Sequence, residues 1–434
     1  EVDKTRLAVA ALASVALSHP ATAFAQRCDV TQLFAPEVTY PAGPVAQGVA
    51  IGDLDGDGDA DLAVTVRVGD FVNVLLNTGA GGFGRGTAYA VGTEPSSLAI
   101  GDLDGDGDAD LVVTNFESDD ASILLNNGDA TFAPASSHFV GVGPFWVAIG
   151  DLDNDGDADL AVAADDVEGV GVLLNDGTGS FATVVQYDSG PLPLSIAIGD
   201  LDNDGDANLA TANRGDNTAG VLLNNGDGTF APATQFGVGF DPFSVAIGDL
   251  DNDGDADLAV ANALSDSVSV LINRTSIGAP GDFASDVRYD VGNSPEAVVI
   301  GDLTGDGLAD LATTNFSDFN ISVLRNVGRG MFAPDVVFDT ERGPDGLAIG
   351  DLNGDSALDL VSANRVDNNV SVFLNTCIPC PADLDGDGLL TIFDFLEFQS
   401  LFDAGSRAAD FDGDGRLTIF DFLAFQSAFD AGCP

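Results

Sequence analysis

The 434-residue chain has very little positive charge. Lys and Arg together number 14 against 70 acidic residues, for a formal charge of -56. Lysine occurs once, at Lys4, and histidine twice, at His19 and His138. Each shortage excludes a class of function. Without clustered cations the chain cannot neutralise a run of phosphates, so nucleic-acid binding through a basic patch is excluded. The same charge repels an anionic membrane surface. Two histidines cannot build a multi-histidine zinc site. A lysine base or Schiff base has only Lys4 to draw on. No apolar run is long enough for an integral membrane segment.

What is abundant is equally specific. Glu occurs only eight times among the 70 acids, and the rest are Asp. Hydrophobic residues make up 45% and the mean hydropathy is +0.19. A chain this apolar builds a core in spite of its charge. Its N-terminus has the three parts of a secretory signal peptide: Lys4 and Arg6, an apolar run over 7–17, and small residues at Ala21, Ala23 and Ala25. The expectation is a signal peptide over residues 1–25 and a secreted, extracellular or cell-surface product. Cleavage there would leave no lysine and one histidine.

One unit then repeats. An acidic run of the type GDLDGDGDADL starts at Asp53, Asp102, Asp151, Asp200, Asp249, Asp302 and Asp351. Five of the six spacings are 49 residues and the other is 53, its extra residues lying within 273–283. Each unit holds four short runs rich in Val, Ile, Leu, Ala and Phe, separated by Gly, Asp and Asn. In the second unit they are residues 97–100, 111–115, 122–126 and 131–140. Four strands per unit, seven times over, predict an all-β chain: a seven-bladed β-propeller of four-stranded blades across residues 26–376. The rival, a β-helix of calcium-binding repeats, needs a period near about nine. Residues 34–40 match the outer strands, whereas the last unit ends at Asn375 without one. The N-terminal segment should therefore complete the last blade and hide both sheet edges.

The acidic loops have the pattern of metal sites. Oxygen donors stand at positions 1, 3, 5 and 9, Gly at 6, and a backbone carbonyl is available at 7. The first loop offers Asp53, Asp55, Asp57, Asp59 and Asp61, with Gly58 at the bend. The second offers Asp102, Asp104, Asp106, Asp108 and Asp110, and the third Asp151, Asp153, Asp155, Asp157 and Asp159. The fourth has Asp200, Asp202, Asp204, Asp206 and Asn208, and the fifth Asp249, Asp251, Asp253, Asp255 and Asp257. The sixth has Asp302, Thr304, Asp306 and Asp310, and the seventh Asp351, Asn353, Asp355 and Asp359. Alternating carboxylates on a tight turn suit a hard cation with about six to eight oxygen ligands, which points to Ca²⁺. Ser356 replaces the bend glycine in loop seven, which is expected to bind most weakly.

The unit resembles the FG-GAP (VCBS-type) repeat, the blade of integrin α-subunit propellers and of many secreted bacterial proteins. The resemblance spans about residues 34 to 376. It implies a structural Ca²⁺ loop between the first two strands of each blade. It also implies ligands bound on the opposite face or at blade junctions, and a binding platform more than a chemistry.

The period breaks after Thr376. Two segments offset by 27 residues begin at Asp383 and Asp410. Each carries an EF-hand-like loop: Asp383, Asp385, Asp387, Thr391 and Asp394, then Asp410, Asp412, Asp414, Thr418 and Asp421. Phe395, Phe398 and Phe402, then Phe422, Phe425 and Phe429, follow at helical spacing. The duplication resembles a type I dockerin, making residues 377–434 a small helical domain and raising the expected Ca²⁺ sites to as many as nine. The resemblance implies a cohesin-like partner bound through Ile392-Phe393 and Ile419-Phe420, residues that would otherwise serve as helix-pair core. Cys380 with Cys433 and Cys28 with Cys377 is the cysteine pairing that nests with the two domains.

No enzyme is expected. His138 stands alone in an outer strand and no G-x-S-x-G elbow accompanies it. The Asp residues that a glycosidase would need are absorbed by the metal loops. The tripeptide Arg214-Gly215-Asp216 reads as chance in a Gly- and Asp-rich chain. Trp146, beside Phe145, either stacks on a sugar or packs inside. The expected function is a secreted calcium-binding scaffold for adhesion or protein binding, anchored by its C-terminal module. The alternative is a carbohydrate-binding lectin or a polysaccharide lyase, and the ligand is an extracellular protein or glycan.

Overall fold

The computed structural model describes residues 30–165, 169–275, 278–377, 392–404, 409, 411 and 416–431. Val30–Ile378 form one compact unit of seven four-stranded antiparallel sheets, a seven-bladed β-propeller. In the second blade the strands are Pro95–Gly101, Asp110–Asn115, Asp120–Leu124 and Ser136–Phe139, paired in chain order from the inside out. The second strand of every blade is buried along its whole length, as Asp110–Asn115 is. It lies between neighbouring blades, so it reads as a continuous run of Leu, Val, Ala and Thr rather than an alternation. The outer strand is mostly exposed. It is also shorter than the 131–140 run predicts. Phe132 makes only an isolated bridge to Asn126, and the ladder starts four residues after it, as it does after Phe83, Phe181 and Phe283 where no proline intervenes.

The ring closes as expected. The last blade takes Val38–Pro41 as its outermost strand, paired with Asn369–Phe373, and Phe34 bridges Asn375. The insertion within 273–283 falls in the turn between the third and fourth strands of the fifth blade, where Asn273 bridges Phe283.

The core lies between blades. Val72 and Val74 of the first blade pack with Leu98, Leu111 and Leu124 of the second, and Val64 packs with Val361 and Val372 across the closure. Every first strand ends in Ile-Gly, and each glycine receives the isoleucine of the next blade. A Cβ on Gly199 would lie 2.9 Å from Ile247, and one on Gly350 would lie 3.2 Å from Ile51, which closes the circle. The bare glycine backbone is what lets each inner strand approach its neighbour so closely.

The second unit is described through two 13-residue helices, Ile392–Ala404 and Ile419–Ala431. Phe395, Phe398 and Phe425 are buried together with Phe402, Phe422 and Phe429 packed on them. Ile419 and Phe420 are more than half exposed, so these two are not helix-pair core. The side chains of Ile392 and Phe393 lie outside the described residues, as do the loop residues Asp383, Asp385, Asp387, Thr391, Asp410, Asp412 and Asp414. Asp394 and Asp421 are buried, and Asp421 Oδ2 accepts the Thr418 N–H at 2.6 Å. Among the described residues no helix is long and apolar enough to cross a membrane.

Candidate functional site

Each acidic loop joins the first strand of a blade to the second, and its shape follows from its own carboxylates. The position-1 Asp reaches back to the bend. Its Oδ2 accepts the position-6 N–H in all seven loops, as in Asp53 from Gly58 at 3.0 Å and Asp351 from Ser356 at 2.8 Å. The position-6 glycines have φ between 82° and 94°, as at Gly307 and Gly156. A Cβ on Gly156 would meet nothing, so it is the backbone conformation alone that asks for glycine there. Ser356 takes the same left-handed conformation, with φ 70°, and loop seven keeps its closing bond without the glycine.

Position 9 is a structural hub. Asp159 is fully buried, its Oδ1 accepts the Asn175 N–H at 2.7 Å and its Oδ2 accepts the Leu152 N–H at 2.8 Å. Asp61, Asp110, Asp257, Asp310 and Asp359 repeat both bonds. Burial pushes these carboxyls up, to about 6 at Asp61, Asp110, Asp159 and Asp359 and to about 7 at Asp257 and Asp310. The two N–H donors pull the other way, and nearby carboxylates add to the rise. In loop four the uncharged Asn208 accepts the Asn224 N–H at 2.8 Å and donates to Asp202 Oδ1 at 3.0 Å.

The carboxylates converge in five loops. Three oxygens lie within 4.8 Å of one another in the sets Asp53-Asp55-Asp57, Asp102-Asp104-Asp110, Asp151-Asp153-Asp159, Asp200-Asp202-Asp204 and Asp249-Asp251-Asp257. Among the described residues, loops six and seven form no such set, since Thr304 and Asn353 stand at position 3. Burial also raises the position-3 carboxyls Asp55, Asp104, Asp153, Asp202 and Asp251, and their neighbours' charges add to it. Asp104 Oδ1, Asp151 Oδ1 and Asp251 Oδ1 are buried with no hydrogen-bond partner. A buried carboxylate oxygen left this way is costly, and an oxygen-liganded cation is the group that would satisfy it. The residues present therefore fit a metal ion. The position-7 side chains take no part in these sets. Asp206 and Asp255 instead accept from Asn154 and Asn203 of the preceding loop, at 2.8 and 2.7 Å.

One recurring residue escaped the metal pattern. The Asn that follows each third strand donates from its Nδ2 to two carbonyls, one in its own loop and one in the loop of the preceding blade. Asn224 bonds Ala207 O and Leu152 O, both at 2.8 Å. Asn77 closes the circle on Ala60 O and Leu352 O. The same holds at Asn126, Asn175, Asn273, Asn326 and Asn375. Its signal in the sequence was the recurrence of Asn at this point of all seven units.

A model of the FG-GAP-like repeat matches residues 53–113, 102–162, 151–211, 200–260 and 302–362. The chain belongs to the FG-GAP-like repeat family. Solved structures similar to this FG-GAP-like propeller share its fold. A lectin of Agrocybe aegerita, titled for specific recognition of non-reducing terminal N-acetylglucosamine, is 21% identical with a TM-score of 0.50, covering 76% of this chain and 85% of that one. A streptogramin B lyase is 16% identical with a TM-score of 0.55, over 78% and 97%. BBS1N in complex with ARL6DN is 13% identical with a TM-score of 0.55, over 79% and 96%. No curated protein matches the chain.

The remaining candidates are placed as follows. His138 lies on an outer strand, beside Ser136 Oγ at 3.2 Å and edge-on to Phe181. Arg214 pairs with Asp241 at 3.3 Å. Trp146 is half-buried and packs against the apolar cluster between the third and fourth blades. A cavity of about 450 Å³ opens between the first two blades, lined among others by Tyr89, Asp120, Ser122, Phe132 and Ser137. Cys377 is buried, while Cys28, Cys380 and Cys433 lie outside the described residues.

Proposed function

We propose that this FG-GAP-like propeller is a secreted, calcium-stabilised scaffold that binds extracellular ligands and adheres through them, without being an enzyme. The observation that carries the calcium reading is the buried, unpartnered carboxylate oxygen in loops two, three and five, each within a set of three converging carboxylates. Ca²⁺ would be held by positions 1, 3, 5 and 9 and by the carbonyl of position 7. When bound it supplies charge compensation. The chain's own residues do the rest, position 9 holding the second and third strands to the loop and Asn tying each loop to its neighbour. The 1–25 segment directs export. The C-terminal module, with Ile419 and Phe420 exposed at the start of its second helix, anchors the scaffold to a cohesin-like partner through a dockerin-like pair of calcium loops. Equilibrium dialysis of the full chain against ⁴⁵Ca²⁺ tests the reading. At least the five carboxylate sets should fill, and uptake of less than one ion per chain would contradict it.

A second reading, a carbohydrate-binding lectin, rests on the cavity between the first two blades, which pairs the ring of Phe132 with the hydroxyls of Ser122 and Ser137. A glycan array separates the two: silence across plant and bacterial glycans would sink the lectin.

A further inference from the structure

Neighbouring blades meet at their outer edges around one recurring place, and six of the seven blades fill it with a longer polar side chain. The place lies beside the carbonyl that follows the outer strand of the preceding blade. In the first blade Asn73 donates to Ala42 O at 2.7 Å. In the third Gln186 donates to Val140 O at 3.1 Å, and in the fourth Gln235 donates to Ser189 O at 2.9 Å. In the fifth Arg288 donates to Val238 O at 2.8 Å. In the sixth Asp335 accepts from Ser322 at 2.6 Å, and in the seventh Glu37 accepts from Ser371 and Thr340. The long residue has its own partner across the ladder: Gly171 faces Gln186, and Gly220 faces Gln235. In the second blade Ser122 faces Ser137, and the residue equivalent to Asp335 is Ala135. All three are small, and the cavity of about 450 Å³ lies against them.

The fifth blade shows what the second lacks. Ser269 there accepts the Gly239 N–H at 3.3 Å and the Asn262 side-chain amide at 3.1 Å, and gives its own hydrogen to Asp286 at 3.1 Å. Arg288 bonds Asp286 at 2.6 Å and reaches the Val238 carbonyl. Ser122, 3% exposed, repeats the first half of this. It accepts the Gly92 N–H at 3.1 Å and the Asn115 side-chain amide at 3.0 Å. Its hydrogen is left for an acceptor that Ala135 cannot supply. Val91 O belongs to the same peptide group as the Gly92 N–H, and among the described residues nothing donates to it. The cavity therefore lacks one acceptor and one donor, a single peptide group apart. Its wall is apolar, with Phe132 edge-on to Tyr89 at 4.9 Å and Leu124 beside them. A carboxamide carries both missing groups on one planar end. A guanidinium has no acceptor, and a carboxylate has no donor and would be repelled by Asp120, which also lines the cavity. Asn73, Gln186 and Gln235 already put a carboxamide in this place in three other blades.

We propose that the cavity between the first two blades receives a glutamine side chain of an extended partner polypeptide, its amide donating to Val91 O and accepting from Ser122 while its methylenes lie on Phe132. A polypeptide is the source because the cavity exceeds one side chain, and because Thr87–Ala90 and Ser136–Phe139 beside it are the last strands of their sheets. An extended segment can pair its backbone with such an edge. The inference rests on the protein-binding reading of the scaffold and names the partner's chemistry, in the cavity where the lectin reading would put a sugar. It uses none of the metal-loop residues.

Isothermal titration of the full chain in Ca²⁺ tests this. The probes are a peptide with glutamine between two valines, capped by acetyl and N-methylamide groups, the same peptide with glutamate or methionine instead, free glutamine, and N-acetylglucosamine. The glutamine peptide should bind at least about tenfold more tightly than the other two peptides. Ser137→Gln fills the place from within, as Gln186 does one blade on. It should weaken the peptide by at least about tenfold and raise the melting temperature by about 1–3 °C, which separates lost binding from lost folding. Ser122→Ala should weaken the peptide by about threefold, while Glu117→Gln, an exposed acid, changes nothing. Equal binding by parent and Ser137→Gln, or no preference for glutamine, overturns the proposal. Free glutamine binding as tightly as the peptide overturns the polypeptide source. N-acetylglucosamine binding that Ser137→Gln abolishes, with the peptide silent, makes the cavity a sugar site instead. If no probe binds, the cavity holds solvent only and the proposal fails. A chain that captures extracellular protein equally well with and without Ser137→Gln keeps the protein-binding reading and loses this one.

Discussion

The two ends of a blade differ in how much they vary. At the loop end the same bonds recur: position 1 to the bend and Asn to two neighbouring loops in all seven blades, and position 9 to two backbone N–H groups in six. At the other end, equivalent positions hold Gln47, Ser96, Phe145, Leu194, Phe243, Glu296 and Asp345. Where every blade needs the same closure, substitution breaks a bond that the ring depends on. At the axial end no one bond is common to all seven blades, so side chains there are free to differ.

The comparison can be broken most forcefully at position 9. Asp159→Ala would strand the Asn175 and Leu152 N–H donors in the core, at a cost of about 2–5 kcal/mol by urea unfolding. Asp159→Asn should cost less in a chelator, because Asn208 still accepts the Asn224 N–H at the same position of loop four. A result in which Ala and Asn are equal would remove the structural role. Gly199→Val comes next. Its Cβ would press on Ile247, for about 1–3 kcal/mol, whereas Gly237→Ala on an outer strand meets nothing and should be close to neutral.

Acidity probes the same loops. In a chelator the position-9 carboxyls hold their protons up to about 6 or 7, against the usual 3.8. The folded chain then binds more protons than the unfolded one. Stability from these groups is complete below the usual carboxyl value and is lost as pH rises through 6 to 7. The chelated protein should therefore melt higher at pH 5 than at pH 8. With Ca²⁺ present the slope should reverse, because acid displaces the cation. The same slope in both conditions would mean that no cation competes with those protons. The smallest effect is Ser356→Gly, which relieves a left-handed serine and should stabilise by about 1 kcal/mol in thermal melts.

Much of this was legible in the sequence. Period, strand count and the return of residues 34–40 to the last blade are properties of pattern, and a repeat repeats its hydrogen bonds along with its letters. The acidic loops were legible as oxygen donors. What pattern could not show was that position 9 spends both oxygens on backbone N–H groups, since a ligand and a hub are the same Asp in sequence. Nor could it show that the position-7 side chains Asp206 and Asp255 turn to the preceding loop, which needs the distances to Asn154 and Asn203. The contact of Phe145 with Phe243 was hidden for a different reason. Phe145 and Phe243 are 98 residues apart in sequence, and only ring closure brings them together. Trp146, open in sequence between sugar stacking and internal packing, packs on the cluster between the third and fourth blades.

The central claim is that a divalent cation holds the acidic loops. Loops with dissociation constants of about 10⁻⁴ to 10⁻³ M would each contribute about 0.4–1.4 kcal/mol at millimolar Ca²⁺. Thermal melting of the full chain with and without EGTA tests this most directly. The five carboxylate sets together should lower the melting temperature by about 5 °C or more on chelation, and restoring Ca²⁺ should recover it. A melting curve unchanged by EGTA would contradict the account.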